Sequence, residues 1–137
     1  MIGFRTQKIE AFELIPEEFL QSDELMTYKD KLRFMIEQLV TNPDDTFFWI
    51  LFNKDKLVGF MFAFIVPIGH YCFVEQAHVK NNTPSSQTKK CVVMLEEFCR
   101  QKGCKVIKMN TSRNPIAFGR RWGFEVYSYN MIKKVGE

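Results

Sequence analysis

The apolar positions of this chain change period along its length, and the changes mark out its elements. Leu32, Met35, Ile36, Leu39 and Val40 recur at i, i+3, i+4, i+7 and i+8, which is one stripe along a helix. Asn42-Pro43 ends it, because the residue before a proline is disfavoured in helical geometry. Two strongly apolar runs follow, Thr46 to Phe52 and Lys56 to Val66, rich in β-branched and aromatic residues. Asn53-Lys54-Asp55 joins them with the residues of a hairpin turn. His70 to Lys80 predicts a third strand. Cys91, Val92, Leu95, Phe98 and Cys99 then restore the helical spacing, with Lys90, Glu96, Glu97, Arg100 and Gln101 opposite and Gly103 as the stop.

Upstream, Phe4 to Phe12 predicts a first strand, and Pro16 with Glu17 and Glu18 predicts a helix start. Downstream, Lys105 to Asn110 predicts a short strand, Pro115 to Trp122 a short helix closed by Gly123, and Phe124 to Lys133 a last strand. Asn81 to Gln87 is the one stretch with the polar, proline-containing character of a loop. The order is strand, helices, three strands, helix, strand, helix, strand. It predicts a single α/β domain over residues 1–137, an α+β mixed sheet of about six to seven strands covered by helices on both faces.

Composition narrows the class. With 46% hydrophobic and 26% charged residues the chain is of the globular type, and 14 Phe predict a core built from rings. Its longest apolar run, Phe60 to Ile68, is about half of what a bilayer span needs. Glu10 and Glu13 close behind Met1 do not give the layout of a secretion signal, so a cytoplasmic location is expected. Cys72, Cys91, Cys99 and Cys104 show no Cys-x-x-Cys spacing and read as buried free thiols.

The net charge of +3 conceals an asymmetry. Residues 1–79 carry 7 basic and 12 acidic side chains, whereas residues 80–137 carry 12 basic and 4 acidic. A basic half suits an anionic ligand and an acidic half a cationic one, although solvated faces produce the same split.

From Val79 onwards the motif order becomes specific. A strand ending in Val79, a polar loop, an amphipathic helix containing Leu95-Glu96-Glu97 and ending in Lys102-Gly103, a strand to Asn110, and then Asn114 to Gly123-Phe124 resembles the signature of the GNAT acyltransferase family. The resemblance extends over residues 46–137; the first 45 residues match only in outline. It implies acetyl-CoA as cosubstrate, with no metal, and transfer of an acetyl group to a primary amine of a small molecule or protein. The alternative is a GNAT-like module without catalysis that binds coenzyme A or a protein partner.

The pyrophosphate of the coenzyme needs backbone N–H groups at a helix N-terminus, where the dipole also favours negative charge. By resemblance, Ala77 and Val79 on the strand, and Thr83, Ser85, Ser86, Gln87, Thr88 and Lys89 around the helix start, are the coenzyme-binding candidates. The family loop carries glycine at the places held here by Ser86 and glycine or alanine at that of Thr88; serine and threonine keep the small size and add a hydroxyl. Asn110, Asn114, Phe118 and Arg121 match positions that hold or flank the rest of the coenzyme. For the asparagines, turn and capping work is the other reading.

Glu75 stands inside an otherwise apolar strand. The resemblance brings it near the acetyl group, where a partly desolvated carboxylate suits general-base duty; His78 is the second candidate. Glu75 facing solvent or paired with a basic neighbour is the alternative. The family's general acid is a tyrosine at the position of Gly119 here, so Tyr71, Tyr127 and Tyr129 are the remaining phenols to consider. His70, Cys72 and His78 fit no common zinc spacing, and Arg113, Arg120 and Arg121 lack a groove-reading motif beside them, so neither a metal nor a nucleic acid is expected. The acidic first half points to a cationic amine acceptor, and the assembly expected is a monomer or homodimer.

Overall fold

The computed structural model describes residues 1–21, 25–110, 115–125 and 133. Five strands form one mixed sheet in the order β1-β2-β3-β4-β5: β1 (Ile2–Arg5), β2 (Thr46–Asn53), β3 (Lys56–Val66), β4 (Tyr71–Val79) and β5 (Val106–Met109). The first four are antiparallel in sequence, and β5 joins β4 in parallel. The helices are α1 (Tyr28–Thr41), α2 (Ser85–Gln101) and α3 (Pro115–Trp122). The sixth expected strand, Phe124 to Lys133, lies almost wholly outside the described residues.

Period-two alternation divides the aromatic residues between two cores. On one face Phe47, Trp49, Leu51, Met61 and Ala63 meet Cys91, Leu95 and Phe98 of α2 and Phe118 and Trp122 of α3. On the other, Phe48, Ile50, Phe60 and Phe62 meet Phe12, Ile15, Phe19, Met35 and Leu39. Phe12 stacks on Phe48 with centroids 4.3 Å apart. Burying a side chain of this size contributes about 2–3 kcal/mol from area alone, so these rings dominate the packing of both layers. The four cysteines are free and buried, as their apolar settings predict.

Three expectations require correction. The strand predicted over Phe4 to Phe12 stops at Arg5, and Ile9–Leu14 forms a 3-10 helix instead. Its buried residues, Ala11 and Phe12, both pack in the core that Phe48 and Phe62 line. Pro16 does precede a helical turn, but only the 3-10 turn Glu17–Phe19. In α1 the buried line is Lys31, Met35 and Leu39, while Val40 is 58% exposed, so the helix is rotated away from the side of the apolar stripe that holds Val40. A capping box between Thr27 and Asp30 starts this helix. In the hairpin, Asn53 pairs with Lys56, leaving Lys54-Asp55 as the turn, with Lys54 left-handed at φ 57°.

Candidate active site

The sheet opens where β4 leaves β5. Their parallel pairing runs from Tyr71 opposite Val106 to Val74 opposite Met109 and ends there. Beyond it, Gln76 to Val79 still pair with β3, while the pairing with β5 has ended. The cause is local: β4 bulges, with Val74 opposite Ala63 and Gln76 opposite Phe62, so Glu75 is the extra residue. A bulge bends its strand and resets the alternation. Phe73 therefore shares the Phe64 face before it, and Gln76 and His78 share the Phe62 and Phe60 face after it.

Glu75 is half-buried at this opening, next to the point where β5 ends in Met109. Gln76 is buried, and its Oε1 accepts from the backbone N–H of Gln21 at 3.1 Å. The Gln21 side chain in turn donates to the carbonyl oxygen of Asn110 at 3.3 Å. Gln21 thus bridges the two strands where they part. Lys31, buried on α1, donates its ammonium to the Gln21 carbonyl and fixes the bridge from behind. The sequence reading passed over Gln21, Lys31 and Gln76. Two of them carried a signal: Lys31 sits four residues before Met35 on the buried line of α1, and Gln76 interrupts an apolar strand.

His78 packs its ring against Phe19, with centroids 4.4 Å apart. Ala77 and Val79 are buried in the α2 face of the sheet. Tyr71 lies at the far end of β4 with the Lys108 ammonium 4.3 Å from its ring centre, away from the opening. Tyr127, Tyr129, Asn114 and Arg113 lie outside the described residues.

After Val79 the chain turns through Lys80 to Pro84 into α2, which starts without any side-chain cap. Ser85, Ser86 and Lys89 are exposed around that start, and Gln87 is half-buried. Thr88 is fully buried and its hydroxyl donates to the Ser85 carbonyl at 2.9 Å. The place of the family's second loop glycine or alanine is therefore a packed one, which explains why a small side chain is required. Thr83 is 3% exposed, and its hydroxyl has no hydrogen-bond partner among the described residues. Burial without a partner costs about 1–3 kcal/mol, a cost that an incoming acceptor would relieve.

Helix α3 holds the loop in shape. Arg121 donates to the carbonyl oxygens of Lys80 at 3.1 Å and Thr83 at 2.9 Å. Its guanidinium is thus engaged with the loop backbone, while Phe118 is packed in the core at 6.3 Å from Trp122. Gly123, left-handed at φ 80°, ends α3 with its N–H on the Gly119 carbonyl, as does that of Phe124. A Cβ at residue 119 would stand 2.3 Å from the Phe124 carbonyl oxygen. A tyrosine is therefore incompatible with this backbone at the position where the family's acid stands.

This fold is shared with solved acetyltransferases, one of them described as of the GNAT family, at a TM-score of 0.65 and 13% identity. Solved structures bear this out along the whole chain. Glucosamine-6-phosphate N-acetyltransferase from Arabidopsis thaliana superposes with a TM-score of 0.67 at 17% identity, covering 99% of this chain and 100% of its own. Aminoglycoside 6'-N-acetyltransferase from Acinetobacter haemolyticus gives 0.69 at 16% identity, covering 99% and 100%. PaiA N-acetyltransferase from Thermoplasma acidophilum, in complex with coenzyme A, gives 0.62 at 15%, covering 90% and 88%. No protein-family profile and no curated protein matches the sequence. Among the described residues no helix is long and apolar enough to cross a membrane, and no group of three or more potential metal ligands occurs.

Proposed function

We propose that this protein is an N-acyltransferase that moves an acetyl group from acetyl-CoA to a primary amine by direct attack, acting in the cytoplasm. The observation that carries the reading is the parting of β4 from β5 at Glu75, beside the uncapped start of α2. The edge of β4 past Val74, where its pairing with β5 ends, suits an extended, amide-containing arm, which it would hold as a strand holds its neighbour. The backbone N–H groups of Ser85 and Ser86 suit a pyrophosphate, with Lys89 adding charge and the Thr83 hydroxyl a donor. The thioester brings an activated acetyl group and a thiolate that leaves without a strong acid.

In this reading Glu75 removes the proton from the attacking amine, either directly or through a water, and His78 is the second candidate for that role. Gln21, Gln76 and Lys31 keep the opening at a fixed width. Gly119 leaves the leaving thiolate without the tyrosine acid of the family. That departure favours the second reading, a GNAT-like module that binds coenzyme or a partner without turnover.

Calorimetric titration with acetyl-CoA and with free CoA at two salt concentrations separates the readings. Micromolar, salt-sensitive binding is expected, since phosphate contacts weaken with ionic strength; no binding up to millimolar concentration refutes the coenzyme site. Given binding, Glu75→Gln is expected to lower turnover with an amine at least tenfold while leaving coenzyme affinity nearly unchanged. An equal loss of both would remove Glu75 from the role of base.

A further inference from the structure

A cavity lies at the edge of the sheet opposite β5. It measures about 630 Å³ and is bounded by Met1, Ile2 and Gly3 of the first strand, Trp49 of β2, and Gln87, Lys89, Lys90, Val93 and Met94 along α2. β1 is three strands away from β4 in the sheet, about 14 Å at ordinary strand spacing. The cavity shares Gln87 and Lys89, in the first turns of α2, with the candidate coenzyme site.

The chemistry of its wall is two-sided. Ile2 is 69% exposed and Val93 66% exposed, and with Met1 and Met94 they form an apolar lining open to solvent. Lys89 and Lys90 stand on the same wall as exposed cations, and neither forms a salt bridge with the described residues. Trp49 is 1% exposed and makes no hydrogen bond with the described residues. Its indole N–H lies beside Gly3, where an added Cβ would come within 3.0 Å of Nε1. A glycine there lets the indole reach the cavity wall. Indole N–H groups are donors only and normally find an acceptor when buried.

We propose that this cavity is a binding site for a small amphipathic monoanion, an aliphatic or aromatic carboxylate, separate from the site of acyl transfer. The carboxylate accepts from the Trp49 indole N–H and pairs with the Lys90 ammonium, and the hydrocarbon covers Ile2, Val93 and Met94. The volume is that of an ordinary small-molecule pocket, and an apolar lining with a few convergent polar groups is the usual composition of one.

The probe is octanoate, with octanol and octylamine as chain-matched controls. With Trp122→Phe, emission reports Trp49 alone. Octanoate is expected to shift that emission with saturation, and the two controls to act at least tenfold more weakly. Calorimetry on the unmodified protein gives the same comparison if Trp122→Phe does not fold. Lys90→Gln is expected to weaken octanoate at least tenfold with little effect on octanol, and saturating acetyl-CoA to leave octanoate binding unchanged. Equal response to octanol and octanoate, no response up to ten millimolar, or an unaltered Lys90→Gln titration would each overturn the proposal. Competition by acetyl-CoA would show the cavity to be part of the coenzyme site and overturn its separateness.

Discussion

Replacing Gly119 by alanine sets two known effects against each other. In a helix interior, alanine is more favourable than glycine by about 1 kcal/mol, so on propensity alone the substitution stabilises α3. The structure opposes this. The new Cβ would stand 2.3 Å from the carbonyl oxygen of Phe124, about 1 Å inside ordinary contact. That oxygen belongs to backbone and has no rotamer by which to yield. Overpacking of this kind costs about 1–3 kcal/mol. Relief requires Phe124 to move, which strains the bonds that Gly123 and Phe124 donate to Gly119, at 2.6 and 2.9 Å, each contributing about 1 kcal/mol net. The sum is a loss of about 2 kcal/mol, or roughly 6–10 °C in Tm for a chain of this length. Thermal unfolding followed by far-ultraviolet circular dichroism, with urea titration beside it, measures the difference. A Gly119→Ala variant as stable as the parent, or more so, would refute the argument and show that the α3 terminus is free to relax.

Two further outcomes follow from single contacts. Arg121→Gln removes the cation that gathers the Lys80 and Thr83 carbonyls; the loop should loosen and affinity for CoA fall at least tenfold by calorimetry, with Tm changed by only a few degrees. Tyr28 donates its hydroxyl to the Ile15 carbonyl at 2.5 Å, and burial, then Glu17 and Glu18, push its phenol above the ordinary value. A raised native pKa means that stability from the neutral phenol is fully present below about pH 10 and declines as pH rises through the native value. Tyr28→Phe should therefore flatten the alkaline fall in urea midpoint, and an identical pH profile for both proteins would remove Tyr28 as its source.

The residues themselves determined most of the architecture. The helical spacing of Cys91, Leu95, Phe98 and Cys99 and the unbroken apolar runs of β2 and β3 admit few other local structures, because burial of a stripe or a face is what stabilises each element. The loop from Asn81, the stop at Gly103 and the turn at Gly123 were legible for the same reason: backbone punctuation is a local property, and both glycines adopt positive φ. Tertiary structure alone decided the rest. Ile9–Leu14 becomes a 3-10 helix because Phe12 finds Phe48 across the sheet, a partner 36 positions along the chain.

The bulge at Glu75 is likewise set by the register of β4 against β3, which no pattern within β4 encodes. Gln21, Lys31 and Gln76 meet only because helix, loop and strand converge where the sheet parts; alone, each reads as an ordinary polar residue. Gly119 shows the same division most clearly. The sequence marks it as the residue standing where the family has a tyrosine, while its necessity comes from the carbonyl of Phe124, which folds back against it. Local pattern fixes which elements form, and long-range contact fixes which residues they bring together, since the free energy of a site lies between elements rather than within them.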